Sequence, residues 1–161
     1  MIRVGNQKGL SDFVSLRRIA FSVFILTLLI EIVFAVMFLL LRDWLPTLYL
    51  DTNNIAKTIE NSEVILIASE LLVIVALFQI FDGLQVAILG ALKGMQDVKI
   101  PTLITFIAYW IIGFPICFYL GLYTSLKSSG IWIGLSIGLI SASIMLYLRF
   151  NYLTKKLIVK N

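Results

Sequence analysis

The sequence predicts an all-α integral membrane protein with four transmembrane helices, and three observations carry that prediction. Of its 161 residues, 60% are hydrophobic and 14% charged, with a mean hydropathy of +1.02, so its surface is too apolar to rest in water. Four apolar runs each reach the roughly 20 residues that cross a hydrocarbon core about 30 Å thick. The basic residues are distributed unequally between alternate connections, as the topology of a multi-span protein requires.

Residues 1–18 are polar and interrupted by Gly5, Gly9 and charges, which does not fit a signal peptide. The first span is placed at 19–41 and holds Glu31 near its middle. The second, at 64–92, would extend on the order of 43 Å, so tilt, a bend or projection beyond the core is expected, with Gly83 and Gly90 supplying the bend. The third is placed at 101–123. Pro101 falls in its first turn, where a missing N–H is harmless, and Pro115 falls inside it and should kink it. The fourth occupies 131–148. A tail at 149–161, with Lys155, Lys156 and Lys160 among Leu157, Ile158 and Val159, is expected to lie on the anionic inner leaflet. Trp44, Tyr49, Tyr119, Tyr123, Tyr147 and Tyr152 fall near span ends and read as interface anchors.

With the residues before the first span on the cytoplasmic side, that side holds Arg3, Lys8, Arg17, Arg18, Lys93, Lys99, Arg149, Lys155, Lys156 and Lys160, ten of the thirteen basic residues. Arg42, Lys57 and Lys127 fall on the other side, where the connection also carries Asp43, Asp51, Glu60 and Glu63. Both termini are therefore expected in the cytoplasm. The net charge of +4 is accounted for by this bias and gives no reason to expect a nucleic-acid partner.

Histidine is absent, which removes His-based metal sites, nucleophile pairs and acid–base work. The one cysteine, Cys117, cannot form an intrachain disulfide and reads as a small packing residue. No phosphate-binding loop, Cys cluster or Asp-rich motif points to an enzyme. No cofactor is expected.

Small residues predict where helices meet. Gly130, Gly134, Gly138 and Ala142 recur every fourth position in the last span, and Gly90 and Gly94 make a similar pair in the second. Such ridges let helices approach closely in lipid. Four spans offer few partners for them, so the chain is expected to need more protein than it contains.

The intramembrane acids carry the functional signal. A carboxylate in a span costs at least about 2.5 to 3.5 kcal/mol on insertion scales. Asp82 lies a few residues inward of the centre of the second span, Glu70 toward its outer end, and Glu31 in the first span, with no lysine or arginine inside any span. Each acid must be protonated, hydrogen-bonded, cation-bound or paired with another chain, and a proton or Na⁺ that comes and goes meets that need. Gln79 and Gln85 flank Asp82 at three residues on either side, one polar stripe expected to face a cavity. Two readings of Asp82 stand side by side: a coupling site, or a protonated acid in an interhelical hydrogen bond worth about 0.6 to 2 kcal/mol.

Ile2-Arg3-Val4-Gly5-Asn6, then Phe78-Gln79-Ile80-Phe81-Asp82-Gly83-Leu84-Gln85, Gly90-Ala91-Leu92-Lys93-Gly94 with Asp97 and Pro101, Ala108-Tyr109-Trp110-Ile111-Ile112-Gly113-Phe114-Pro115, and Gly130-Ile131-Trp132-Ile133-Gly134-Leu135 resemble, in order, the C-terminal lobe of the multidrug and toxic compound extrusion (MATE) family, NorM-like branch. The resemblance implies that the four spans correspond to helices nine to twelve of a twelve-helix transporter, within its C-terminal six-helix lobe. It implies exchange of cationic amphipathic drugs for H⁺ or Na⁺ by alternating access in a bacterial plasma membrane. Asp82 matches the family's tenth-helix coupling aspartate, where transient Na⁺ is also expected. Gln79, Gln85, Glu31 and Tyr109 are then polar neighbours of the cavity rather than assigned ligands, and Lys93 stands where many members have arginine.

The seven preceding helices and most of an eighth have no counterpart, so the sequence is expected to be a fragment, or part of a truncated or split gene, that does not transport alone. Its expected partners are membrane lipid, organic cations, and the absent N-terminal lobe or another copy of the chain. An alternative is a small four-helix protein that self-associates through its glycine ridge as a scaffold or minimal transporter. Lipid-linked saccharide flipping is disfavoured because no intramembrane cation is present to meet a pyrophosphate.

Overall fold

The computed structural model describes residues 1–48 and 58–160. Tyr49, Asp51 and Lys57 lie outside the described residues, as do the side chains of Glu60 and Lys160. The elements are helix α1 (Ile2–Gly9), α2 (Phe13–Leu41), a 3₁₀ turn (Leu45–Leu48), α3 (Thr58–Gly94), α4 (Lys99–Phe106), a π-helical segment (Ile107–Gly113), α5 (Phe114–Leu122) and α6 (Lys127–Lys160). The stretches Phe13–Leu41, Ser62–Gly94, Lys99–Leu122 and Lys127–Val159 are long and apolar enough to cross a membrane, giving the four spans the sequence predicts.

Local chemistry sets where these helices begin and end. Asp12 caps α2 by accepting from the Ser15 N–H at 3.0 Å, and its hydrogen bonds with Ser15 hold its carboxyl below the usual carboxylate range. The helix therefore starts ahead of residue 19 and takes in Arg17 and Arg18. Arg17 is accommodated by lying over the Phe21 ring at 5.3 Å and donating to Asn151 Oδ1 at 2.6 Å. Helix α3 ends with Gln96 in the left-handed region (φ 62°), where the Gln96 and Asp97 N–H groups donate back to Lys93 and Leu92 carbonyls. This turn is held from two sides. Lys8 Nζ donates to the Met95 carbonyl at 2.5 Å and to Gln96 Oε1 at 3.0 Å, and Arg149 Nε donates to Asp97 Oδ2 at 2.8 Å.

Helices α3 and α6 pack on each other; α2 packs chiefly on α3, and the third span, α4 through α5, packs on α6. Helix α1 lies against α2 and the end of α3. The main core gathers at the end that carries α1, where Val4, Leu16, Phe24, Leu92, Leu146 and Phe150 are buried. Phe24 and Phe150 meet edge to face at 5.2 Å, and Phe21 joins both.

The glycine ridge of α6 is occupied within the chain. A Cβ on Gly130 would come within 2.5 Å of the Leu120 carbonyl oxygen, one on Gly134 would overlap the Cys117 backbone, and one on Gly138 would sit 2.9 Å from Gly113 Cα. The third span thus covers the face that self-association was expected to use. Cys117 is a free thiol pressed against this ridge.

Four local expectations need correction. Gly83 and Gly90 lie in an unbroken helix, and Gly83 instead makes room for the Glu31 carboxylate, which occupies the place of a Cβ. Among the described residues nothing lies within 4 Å of a Cβ at Gly90, so it makes no packing contact within the described bundle, whereas Gly94 packs against Met1 and Val4 of the chain start. Pro115 acts through the segment before it. A proline cannot donate to the carbonyl four residues back and crowds it, and here the π-helical turns end at Gly113, placing Pro115 in the first turn of α5. Finally, residues 149–160 of the tail do not peel away from the bundle. Helix α6 runs on to Lys160, Phe150 and Thr154 are fully buried, and Asn151 holds Arg17. No glycine or proline breaks that stretch, and its apolar side packs in the bundle, leaving Tyr152, Lys155 and Lys156 outward.

Two stability predictions follow from these contacts. Gly138→Ala should destabilise by about 1–3 kcal/mol through overpacking, while Gly90→Ala should be neutral or stabilise by up to about 1 kcal/mol, read as thermal unfolding midpoints of the detergent-solubilised protein. The Arg149–Asp97 side chains keep 21% and 14% exposure. Arg149→Met should therefore cost less than the roughly 3–5 kcal/mol of a fully buried broken pair, and the double variant with Asp97→Leu should recover most of the loss in the same assay.

Candidate functional site

The polar positions of α3 are distributed by the helical wheel among three directions. Residues three apart sit about 60° from one another, so Gln79 and Gln85 flank Asp82 on opposite sides. Gln79 Nε2 approaches the backbone carbonyl of Glu31 in α2 at 3.4 Å, a long contact. Gln85, only 6% exposed, accepts from the Tyr109 hydroxyl of the π-helical segment at 2.9 Å. Asp82 lies between them and is exposed. The stripe expected to face one cavity is thus split: its flanks tie α3 to neighbouring helices, and its acid points off the bundle.

Further contacts set the orientation of that acid. Ser143 of α6 is buried and donates at 3.0 Å to the carbonyl of Phe81, the residue before Asp82. On the other side, half-buried Glu31 lies against Gly83, the residue after it. Glu70 is exposed toward the other end of α3 and lines a separate cleft with Arg42 and Asp43.

Among the described residues, no three His, Cys, Asp or Glu side chains group as a metal site. Gln85 Oε1 and the Tyr109 hydroxyl are bonded to each other, and the Asp82 carboxylate lies exposed three residues along α3 from Gln85. A hard cation takes about six oxygen ligands, so most of a coordination shell at Asp82 has to come from water or from protein beyond these helices. A single proton needs only the carboxylate.

Sequence reasoning missed Ser143, the π-helical segment and the polar knot of Lys8, Arg17, Gln96, Asp97, Arg149 and Asn151. The charged members of the knot all fall at the same end of the predicted spans, and Pro115 marks the irregular segment that precedes it.

The family model described as MatE matches residues 1–119. The chain is 37% identical over 154 residues to a probable multidrug resistance protein NorM of Rhodopseudomonas palustris, covering 96% of this chain and 31% of that protein. It is 33% identical to one of Xylella fastidiosa (97% and 31% covered) and 34% identical to one of Deinococcus radiodurans (96% and 33%). It spans about a third of the length of the curated relatives it matches. The fold superposes on the crystal structure of the eukaryotic MATE transporter AtDTX14 with a TM-score of 0.80 at 21% identity, covering 96% of this chain and 34% of that one. With a family model matched over residues 1–119 and these relatives aligned along nearly its whole length, the chain belongs to the MatE family.

Proposed function

We propose that these four helices form part of one lobe of a multidrug efflux antiporter, with Asp82 as the carboxylate that binds and releases the coupling H⁺ or Na⁺. The observation that carries this reading is the exposure of Asp82 within an apolar span, with Gln79, Gln85, Ser143 and Glu31 engaged around it. A structural acid would be turned into the bundle and bonded there. An acid held outward at membrane depth is suited to a water-filled cavity or a facing lobe. The relatives' description as multidrug resistance proteins supports the same activity, and cationic amphipathic compounds are the cargo that the family resemblance implies.

In this reading the Asp82 face meets a second lobe, and the cargo moves between them by alternating access. Both termini face the cytoplasm in the plasma membrane, as the ten-to-three distribution of basic residues favours. Protonating or metallating Asp82 removes a charge from the cavity wall, and a cationic cargo then loses its counter-charge and leaves. The antiport follows from competition for one carboxylate. The four helices by themselves do not transport.

The test is ethidium efflux from cells lacking their own pumps, expressing this chain alone or together with the N-terminal lobe of a NorM relative. Efflux is expected only with the added lobe, and Asp82→Asn should return it to background while leaving membrane insertion unchanged. Wild-type efflux by the Asp82→Asn variant would remove the coupling role. Efflux by the chain alone, lost on Asp82→Asn, would replace the two-lobe reading with a self-assembling transporter.

A further inference from the structure

The third span carries a ladder of exposed aromatic rings. Phe106, Trp110, Phe114 and Phe118 follow at every fourth position with ring centroids 6.2, 5.8 and 6.4 Å apart, and all four are exposed. At the Phe106 end the ladder borders a groove of about 370 Å³ between the third span and α3. Leu89, Phe106, Tyr109 and Trp110 make this groove apolar, while Lys93 and Thr102 stand where α3 ends and α4 begins.

The hydroxyls of the groove are already engaged. Thr102 and Thr105 donate to the carbonyls of Val98 and Pro101 at 2.9 Å, and Tyr109 donates to Gln85. Lys93 is exposed, and its ammonium has no hydrogen-bond or ion-pair partner among the described residues. Helix α4 starts close by without a side-chain cap, so its first N–H groups favour an anion, and exposed Lys99 adds a second cation at that end. From Thr102 to Trp110 the groove runs about 12 Å toward the membrane centre. An apolar trough with a bare cation at its membrane-surface end is the complement of an amphiphile with a hydrocarbon chain and an anionic head.

The geometry points to a bound phospholipid with a net-anionic headgroup, its phosphate at Lys93 and one acyl chain along Phe106 and Trp110. This site goes beyond the transport reading and does not depend on it. The charge at Lys93 selects the lipid class, and the aromatic wall holds the chain without selecting its length.

Trp110 reports on the groove directly. The sequence has three tryptophans, so Trp44→Phe with Trp132→Phe leaves Trp110 as the sole emitter. The full chain is reconstituted in phosphatidylcholine vesicles carrying a fixed fraction of brominated phosphatidylglycerol or brominated phosphatidylcholine, and quenching of Trp110 is compared. The brominated phosphatidylglycerol should bind roughly fivefold more tightly than its phosphatidylcholine counterpart. Lys93→Gln should bring that ratio close to one, and Lys93→Arg should keep it. A wild-type ratio near one would reduce the groove to ordinary lipid contact. Absence of quenching by either lipid would mean that another part of the protein or a second copy covers it, and an unchanged preference in Lys93→Gln would remove Lys93 as the headgroup contact. Each of these three results overturns the proposal, and none of them bears on efflux.

Discussion

The close backbone approach of α6 to the third span is the constraint on which the rest of the bundle depends. Lipid tails are as apolar as leucine, so helices in a bilayer are held by packing and hydrogen bonds rather than by escape from water. Here Gly134 receives Cys117 and Gly138 receives Gly113, distances at which no side chain can intervene. That contact fixes the rotation of the third span about its own axis. With Gly113 turned to α6, Tyr109 comes round to Gln85 of α3, and Phe106, Trp110, Phe114 and Phe118 are left on the outside. The π-helical segment ends at the residue that makes the contact, so Pro115 and the glycine ridge together set the register of the span.

Helix α6 also sets the asymmetry of the bundle. Its Leu146, Phe150 and Thr154 are fully buried, and its Arg149 and Asn151 tie the turn after α3 and the start of α2. The end bearing α1 is consequently cross-linked by charge-assisted bonds among four helical elements. Toward the middle of the membrane the ties become sparser and more specific: one serine to the Phe81 carbonyl, one tyrosine to a glutamine, one glutamate against a glycine. These contacts surround Asp82 and leave its side chain free.

Much of this was legible because the membrane reduces fold prediction to hydropathy, charge bias and small-residue spacing. The four spans, the Gly130–Gly134–Gly138 ridge and the isolation of Asp82 could all be read from residue order. The errors came where a residue has two physical roles and only a neighbour decides between them. Gly83 was assigned to bending, yet the deciding fact is that Glu31 from another helix needs its missing Cβ. The lysines of the tail point to the leaflet, whereas the burial of Phe150 against Phe21 and Phe24 depends on where α2 stands. Gln79 and Gln85 lie on one face by periodicity, but 60° on either side of Asp82 is enough to direct them to different helices. The aromatic ladder was in plain view at every fourth position. Its exposure became visible only once the opposite face was seen to be filled by α6.

Tyr109 joins the two outward-facing features of the lobe. Its ring lines the groove beside Lys93, and its hydroxyl reaches Gln85, three residues along the helix from Asp82. Because Gln85 is buried and its carbonyl oxygen accepts from that phenol, turning Tyr109 away would leave a buried polar group without its donor, a loss of about 1–3 kcal/mol. The ring is therefore held in one position by the polar side, and whatever fills the groove meets it already fixed. The acid face and the apolar groove are separated by a single hydrogen bond, and the residue that donates it belongs to both.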